Sequence, residues 1–437
     1  MESEIGHIDS ELFNLKRIKE QVNIITKASE VAQAKIDYAS AHDDNIIRAI
    51  SIIENFLRKK HRLCYGGQAI NAHLPSKYKF YDPNYSVPDY DFFTPKQAND
   101  VITIIKDLKK AGFIEISVRE GMHQGTVKIY VDYIPVADLT EIDPNLYKVL
   151  SKREFKLDGI SYLDANTLRM LMYLELSRPR GEVSRWSKVF ERLALFNEFV
   201  SFKSCKIIHD SQHIGLNKDQ LQFTINYIIK NQRIIAGTDL LGFYKTVLHT
   251  RKLNTRWVFT TKKPIIFFSP ESANDANIIS SEFNSMGTSV TIKEYSSKGV
   301  DILPSMKIIS QGKKSLIFII SSVACYSYFN IPIKGNTNIK IASMDTLITL
   351  YFSLGLIEST FFNIGSIECM ANKLVDISMH ARRNLEKYPL PFISIKCVGY
   401  QPSFPSLIRE KVKRITEKRQ NVRNVRNVRN TFKKSLI

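Results

Sequence analysis

Asp89 and Asp91 lie two residues apart in "VPDYDFF". On an extended chain, residues at that spacing point to one face, with backbones about 6–7 Å apart. Two carboxylates so close repel, and they hold protons more tightly than usual unless a cation lies between them. An all-oxygen donor set suits Mg²⁺ first and Mn²⁺ second. Carboxylates sharing such ions are a known arrangement for phosphoryl transfer, and it requires a third acid from a neighbouring strand. Asp138 in "VADL" and Asp132 in "YVDY" are the candidates, and they share a parity in a regular strand. Asp138 is preferred, because it ends an apolar run where a strand would leave the core and open toward a cleft.

"YGGQAIN" supplies the complementary half. Gly66 and Gly67 allow a backbone to approach phosphate closely, and a helix starting there would aim free N–H groups at an anion. A Gly pair alone is most often a turn. A Gly pair at a helix start, followed 22 and 24 residues later by Asp-x-Asp on a strand, reads as metal-dependent nucleotidyl transfer. Downstream, "SRPRGEVSRWSKVFERLALFN" predicts a helix beginning near Ser184. Trp186, Val189, Phe190 and Leu193 would form its apolar face, and Arg185, Lys188 and Arg192 a basic stripe. Facing a cleft, that stripe would neutralise a triphosphate; facing solvent, it would be an ordinary helix surface. The same two readings apply to Arg178 and Arg180. His123 in "GMHQGT" could lie in a loop near the cleft, although a lone histidine is usually structural.

The elements that must position these groups follow from periodicity. Residues 9 to 60 read as helix, with neither Pro nor Gly interrupting. "VPDYDFF" is strand-like, with Tyr90 and Phe92 facing a core. "PKQANDVITIIKDLKKAGF" is an amphipathic helix opened by Pro95 and closed by Gly112. "GTVKIYVDYIPVADLTEI" is one long strand or two short ones joined near Pro135. This order argues for a small mixed α/β domain. Farther on, "YLDANTLRMLMYLEL" (162–176) and "IASMDTLITLYFSLG" (341–355) share a lead-in, a helix start and an apolar rhythm. Either the chain contains an internal duplication, whose second half lacks "DYD" and is chemically inert, or two amphipathic helices happen to have similar caps.

Bulk composition narrows the partners. The 437 residues carry 62 Lys and Arg against 43 Asp and Glu, a formal net charge of +19. That excess points to a polyanion, nucleic acid before an anionic membrane surface. The most apolar run, "SLIFIISSVACYSYF", is too short to span a bilayer, and no secretory signal is visible at the N-terminus. The five cysteines (64, 205, 325, 369 and 397) show no CxxC spacing. They fit a reducing compartment and argue against a disulfide framework or a zinc ribbon. From Gln401 onward the chain is basic and repeats "NVR" three times. This tail is expected to be disordered or marginally helical, an electrostatic arm for RNA or DNA.

Taken together, "GGQAIN…DYDFF…VADLT…RPRGEVSRWSKVFERLALFN" resembles the nucleotidyltransferase superfamily. Within it, the chain looks like the poly(A) polymerase catalytic subunits of large cytoplasmic DNA viruses, of the poxvirus and giant-virus type. The resemblance covers roughly residues 60–200. It implies an α+β, polymerase-beta-like catalytic domain, with a five-stranded or similar mixed sheet bearing the carboxylates at its edge. It also implies a second, degenerate nucleotidyltransferase-like domain. The expected division is 1–58 helical, 59–200 catalytic, 201–400 the degenerate copy and 401–437 a basic tail. ATP would be the substrate and an RNA 3′-end the acceptor. Asp89, Asp91 and Asp138 would hold two Mg²⁺ (Mn²⁺ possible), and family spacing favours Asp138 over Asp132. Gly66, Gly67, Arg185 and Lys188 would hold the triphosphate. A homodimer or a processivity-factor subunit, a cytoplasmic location and no membrane association complete the expectation. The rivals are another template-independent nucleotidyltransferase (an oligonucleotide synthase or CCA-adding type) and a catalytically silent RNA-binding scaffold.

Overall fold

The computed structural model describes residues 2–82, 84–208, 213–237, 240–253, 263–297, 302–333, 337–357, 361–383 and 385–434. The final three tail residues, 435–437, lie outside the described residues. The N-terminal helical region is two helices, α1 (Glu2–Ala41) and α2 (Asp44–Lys60). The break needs neither Pro nor Gly, because the Asp43 carboxylate accepts from the N–H groups of Asn45 and Ile46 and so starts a new helix. Then follow β1 (Leu63–Tyr65), α3 (Gly66–His73), β2 (Tyr90–Thr94), α4 (Gln97–Lys110), β3 (Ile116–Glu120), β4 (Thr126–Val131) and β5 (Ile134–Glu141). The first half closes with α5 (Pro144–Ser151), β6 (Phe155–Leu157), β7 (Ile160–Tyr162), α6 (Ala165–Leu176) and α7 (Trp186–Phe199).

The second half runs α8 (Lys218–Lys230), β8 (Ile234–Ile235), α9 (Leu240–Thr250), β9 (Ile265–Ser269), α10 (Ser272–Ser285), β10 (Thr291–Tyr295), β11 (Met306–Gln311) and β12 (Lys314–Ser321). It continues with β13 (Tyr326–Pro332), β14 (Asn338–Ala342), α11 (Met344–Leu354), α12 (Ile364–Arg383), β15 (Cys397–Val398) and α13 (Phe404–Lys434).

The two halves are built alike. One sheet has the order β3-β4-β5-β2-β1-β7-β6, and the other β10-β11-β12-β9-β8-β14-β13-β15. Strand senses match position by position: β2/β5 and β9/β12 are parallel, β1/β7 and β8/β14 are parallel, and the remaining neighbours are antiparallel. The shared helix rhythm read in the sequence is therefore a repeat of the scaffold. Details repeat too. Arg62, just before β1, holds Asp100 of α4 at 2.7 and 3.0 Å. Arg233, just before β8, holds Asp275 of α10 at 2.8 Å through both Nε and Nη2. Thr94 and Ser269 each accept the backbone N–H two residues on. Placed on this frame, Asp89, Asp91 and Asp138 correspond to Pro264, Ile266 and Phe318. Ile266 and Phe318 are fully buried, so the second half holds core where the first holds carboxylates.

α6 of the first half packs on α11 of the second. Every residue of α11 is buried, which explains why its sequence is apolar nearly all round. Each fully buried Leu, Ile or Phe there contributes about 1.5–3 kcal/mol. The ion pairs act differently. Removing Arg62 would leave the Asp100 charge buried with no cation. Arg62→Ala is therefore expected to destabilise the chain by about 3–5 kcal/mol in urea denaturation, and a cost below about 1 kcal/mol would contradict this.

The cysteine expectation is corrected. Cys205 bonds to Cys369 and Cys325 to Cys397, leaving Cys64 buried and free. The partners are 164 and 72 residues apart in sequence, so no local spacing could reveal them, and the cysteines give no support for a reducing compartment. The tail, expected to be disordered or marginally helical, is helical from Phe404 to Lys434. Among the described residues, no helix is long and apolar enough to cross a membrane.

Candidate active site

β2 begins at Tyr90, so Asp89 stands at its threshold and Asp91 within it. Tyr90 and Phe92 fill the core on the opposite face, 5% and 0% exposed, and the Tyr90 hydroxyl donates to Glu54 at 2.8 Å. This alternation fixes both aspartates on one face. The parallel pairing of β2 with β5 sets Asp91 directly beside Asp138. The pair sits on the two central strands, third and fourth of seven, not at the edge that the resemblance implied. Asp132 is elsewhere. With Tyr133 it forms the tight β4–β5 turn, both at positive φ, and it is exposed. The strand break thus falls at 132–133. Pro135 is paired opposite Tyr130, at a register shift of the β4–β5 hairpin.

Asp89 and Asp91 both sense the Asp138 charge. Burial, then Asp89 and Asp138, push Asp91 up to about 7 from the ordinary 3.8. Burial, then Asp138, push Asp89 up to about 6. One oxygen of Asp89 (Oδ1) and one of Asp138 (Oδ1) are buried with no hydrogen-bond partner, which is costly in a folded chain. The remaining Asp138 oxygen is held by the ammonium of Lys128, which β4 places opposite it in register. Lys128 escaped the sequence reading because finding it requires the true position of the hairpin turn. Among the described residues, no three His, Cys, Asp or Glu groups are gathered tightly enough to share one ion as they stand. The donor set nevertheless fits a hard divalent cation: three carboxylates on adjoining strands, two carrying unpartnered buried oxygens, with a lysine supplying the local positive charge.

Gly66 opens α3 at φ +71°. A Cβ built there would lie 2.2 Å from Asp91 Oδ2, so only glycine lets the helix start this close to the carboxylate. The N-cap, Tyr65, makes no side-chain capping bond, and its hydroxyl instead bonds Thr140 Oγ1 at 2.9 Å. The N–H groups of the first α3 turn therefore lack a side-chain cap and remain for an anion. A Cβ at Gly67 would meet the Tyr81 hydroxyl at 2.3 Å and Arg192 Nη1 at 3.0 Å.

That contact brings in α7, preceded by a short 3₁₀ turn at Val183–Arg185. Arg192 donates to the Tyr81 hydroxyl at 2.8 Å and stacks over Phe80. The like charge of Arg192, then burial, then Arg185, hold the Lys188 ammonium below its ordinary value. Cations forced together in this way favour an anion between them. Arg185 lies 3.6 Å from Glu175 and 3.3 Å from Glu182, and its charge also favours ionised Asp91. The structure thus sets Asp91 beside Asp138 and Gly66, with Asp89 on the same face and Lys128 on Asp138; Gly67 meets Tyr81 and Arg192, while Arg185 and Lys188 are exposed around the start of α7. Arg180 is exposed. Arg178 and His123 line a cavity of about 320 Å³ with Arg185 and Phe404, and His123 Nε2 is 3.4 Å from Glu182.

Residues 51–182 match the family model described as "Poly(A) polymerase catalytic subunit". A putative poly(A) polymerase catalytic subunit of Acanthamoeba polyphaga mimivirus is 26% identical over 181 residues, 40% of this chain and 30% of that protein. One from African swine fever virus (strain Badajoz 1971 Vero-adapted) is 26% identical over 198 residues, 44% of this chain and 41% of that protein. The chain thus spans well under half of these curated relatives. The crystal structure of the Megavirus polyadenylate synthase superposes with a TM-score of 0.71 at 16% identity, covering 92% of this chain and 83% of that one. The fold is mixed α/β, of nucleotidyltransferase type.

Proposed function

We propose that this chain transfers AMP from ATP to the 3′-hydroxyl of RNA without a template, extending mRNA 3′-ends. The observation that carries the reading is the register of Asp91 beside Asp138, with the glycine start of α3 pressed against Asp91. In this reading the 3′-oxygen attacks the α-phosphorus, the bond to the β-phosphate oxygen breaks, and pyrophosphate leaves. Asp89, Asp91 and Asp138 would hold two Mg²⁺ (or Mn²⁺) ions, which would supply neutralisation of the triphosphate and a more acidic 3′-hydroxyl. The chain's own groups do the rest. Gly66 and Gly67 admit the β- and γ-phosphates to the α3 N-terminus, and Lys188, Arg185 and Arg192 balance their charge. Lys128 holds Asp138 in place, oriented toward the hydroxyl. Residues 59–200 form the catalytic unit on this account, 201–400 its inert copy, 1–58 a helical lead-in and 401–437 a basic arm. An enzyme of this kind would work in the cytoplasm of an infected cell.

Primer extension of an RNA oligonucleotide with each of the four nucleotides tests the reading. ATP alone should give long homopolymer tails. A defined short addition would point to a CCA-adding type, and incorporation with neither Mg²⁺ nor Mn²⁺ present would remove the carboxylates from their role. RNA binding with no incorporation under any condition would leave a silent scaffold.

A further inference from the structure

The reaction needs an acceptor strand, yet the groups above attend to the triphosphate. The basic helix α13 begins at a cavity that Arg185 also lines. From 401 to 437 the chain has eleven Lys and Arg against two Glu. As a helix of 31 residues, α13 is about 46 Å long. One of its faces is anchored on the catalytic half: Arg414 donates to the Met122 carbonyl at 3.1 Å, and Lys418 pairs with Glu120 at the end of β3. Arg409 and Lys413, one turn apart, lie on the opposite face and are exposed, as is Arg419.

Its start is aromatic. Tyr400 is 67% and Phe404 57% exposed, a waste of apolar surface unless something covers it. Phe404 and Leu407 form one wall of the 320 Å³ cavity whose other wall includes Arg178 and Arg185, and Arg185 acts electrostatically on Asp91. An exposed aromatic pair at the mouth of the Arg185 cavity, leading onto a row of cations, is the chemistry that holds single-stranded nucleic acid: rings for bases, cations for phosphates. An anionic membrane would use a wide apolar face. Here the exposed stripe is Phe404, Ile408 and Val412, and the neighbouring face is docked on protein.

We propose that α13, with Tyr400 and Phe404 at its start, is the binding surface for the single-stranded RNA immediately upstream of the 3′-end being extended. Bases stack on the two rings at the cavity mouth, and the backbone runs outward along Arg409, Lys413 and Arg419. The proposal rests on the polyadenylation reading for the identity of its RNA.

Fluorescence anisotropy of a labelled oligoadenylate, measured on the full chain without ATP across a salt series, tests it. Replacing Arg409, Lys413 and Arg419 together by Ala should reduce the slope of log affinity against log salt by about 2, at roughly 0.7 per lost cation. Tyr400→Ala with Phe404→Ala should weaken binding by about tenfold or more. Unchanged affinity and slope in both variants, with thermal midpoints intact, would overturn the proposal. Should a variant lose its fold, photocrosslinking of thiouridine-containing RNA to the unaltered chain decides. Adducts within 400–420 support the surface, and adducts only elsewhere overturn it. Binding to phosphatidylserine vesicles that the variants lose, with RNA affinity kept, would reassign the helix to membranes. A chain that adds AMP normally but binds RNA equally well without these side chains defeats this proposal alone. One that binds RNA through α13 but never adds AMP defeats the activity alone.

Discussion

Asp91→Ala should lower AMP addition by at least about 10³-fold while leaving the chain folded. The loss follows from removing a carboxylate whose share of charge stabilisation is several kcal/mol, at 1.36 kcal/mol per decade. The same substitution should stabilise the metal-free chain near neutral pH. Burial and its acidic neighbours push Asp91 up to about 7 and Asp89 up to about 6, both from 3.8. Between roughly pH 4 and 7 the folded state therefore holds protons that the unfolded chain has released. Stability falls as pH rises through this window, and the penalty is fully present above pH 7. For Asp91 it amounts to about 4 kcal/mol, and the variant should lose that part of the slope. Urea denaturation at pH 5 and pH 8 with chelator present measures it. Incorporation within tenfold of the parent, or a parent chain that gains stability over this range, would contradict the assignment of Asp91 to a shared acidic site.

The second large effect concerns a residue with no functional group. In Gly66→Ala the new methyl would sit 2.2 Å from Asp91 Oδ2, on a backbone with φ +71°. The backbone conformation alone costs about 1–2 kcal/mol for an L-residue. The clash is relieved only by moving the carboxylate or the start of α3, and both are reaction geometry. A displacement near 1 Å is worth about 100-fold in rate. We expect kcat/KM for ATP to fall at least that far, with only a modest shift in Tm. Gly112, at φ +94° and with nothing near its Cβ position, is the control: alanine there meets the same backbone strain and should leave activity within a few-fold.

How much of this was legible in the sequence depends on the range of the interaction that carries it. Asp89, Asp91 and the Gly pair declare themselves through local spacing, and α4 through its periodicity and its Pro and Gly punctuation. Asp138 could be preferred over Asp132 but not separated by alternation. What separates them is a hairpin turn at Asp132–Tyr133, where two successive non-glycine residues take positive φ, an uncommon choice that composition does not announce. Lys128 was invisible for the same reason, since its place opposite Asp138 follows only from that turn. The helix break at Asp43 was lost because a side-chain cap can end one helix and begin another without Pro or Gly. The disulfides join residues distant in sequence, and Arg192 reaches Gly67 and Tyr81 from 111 residues downstream of the tyrosine. The duplication was only half legible. Its helix starts survive as Asp164 and Ser343 caps, whereas the repeated Arg62–Asp100 and Arg233–Asp275 pairs join residues too far apart in sequence to announce the matching sheet order.

The packing of α6 against α11 has an architectural consequence. The two helices are counterparts, so the seam between the halves joins an element to its own equivalent, the isologous form of contact that a twofold homodimer makes. The polypeptide is thus laid out as two subunits fused end to end. Fusion releases what twofold equivalence forbids: each side of the seam can change without the other. One half carries three carboxylates, whereas the equivalent strands of its twin place Ile266 and Phe318 in an apolar interior.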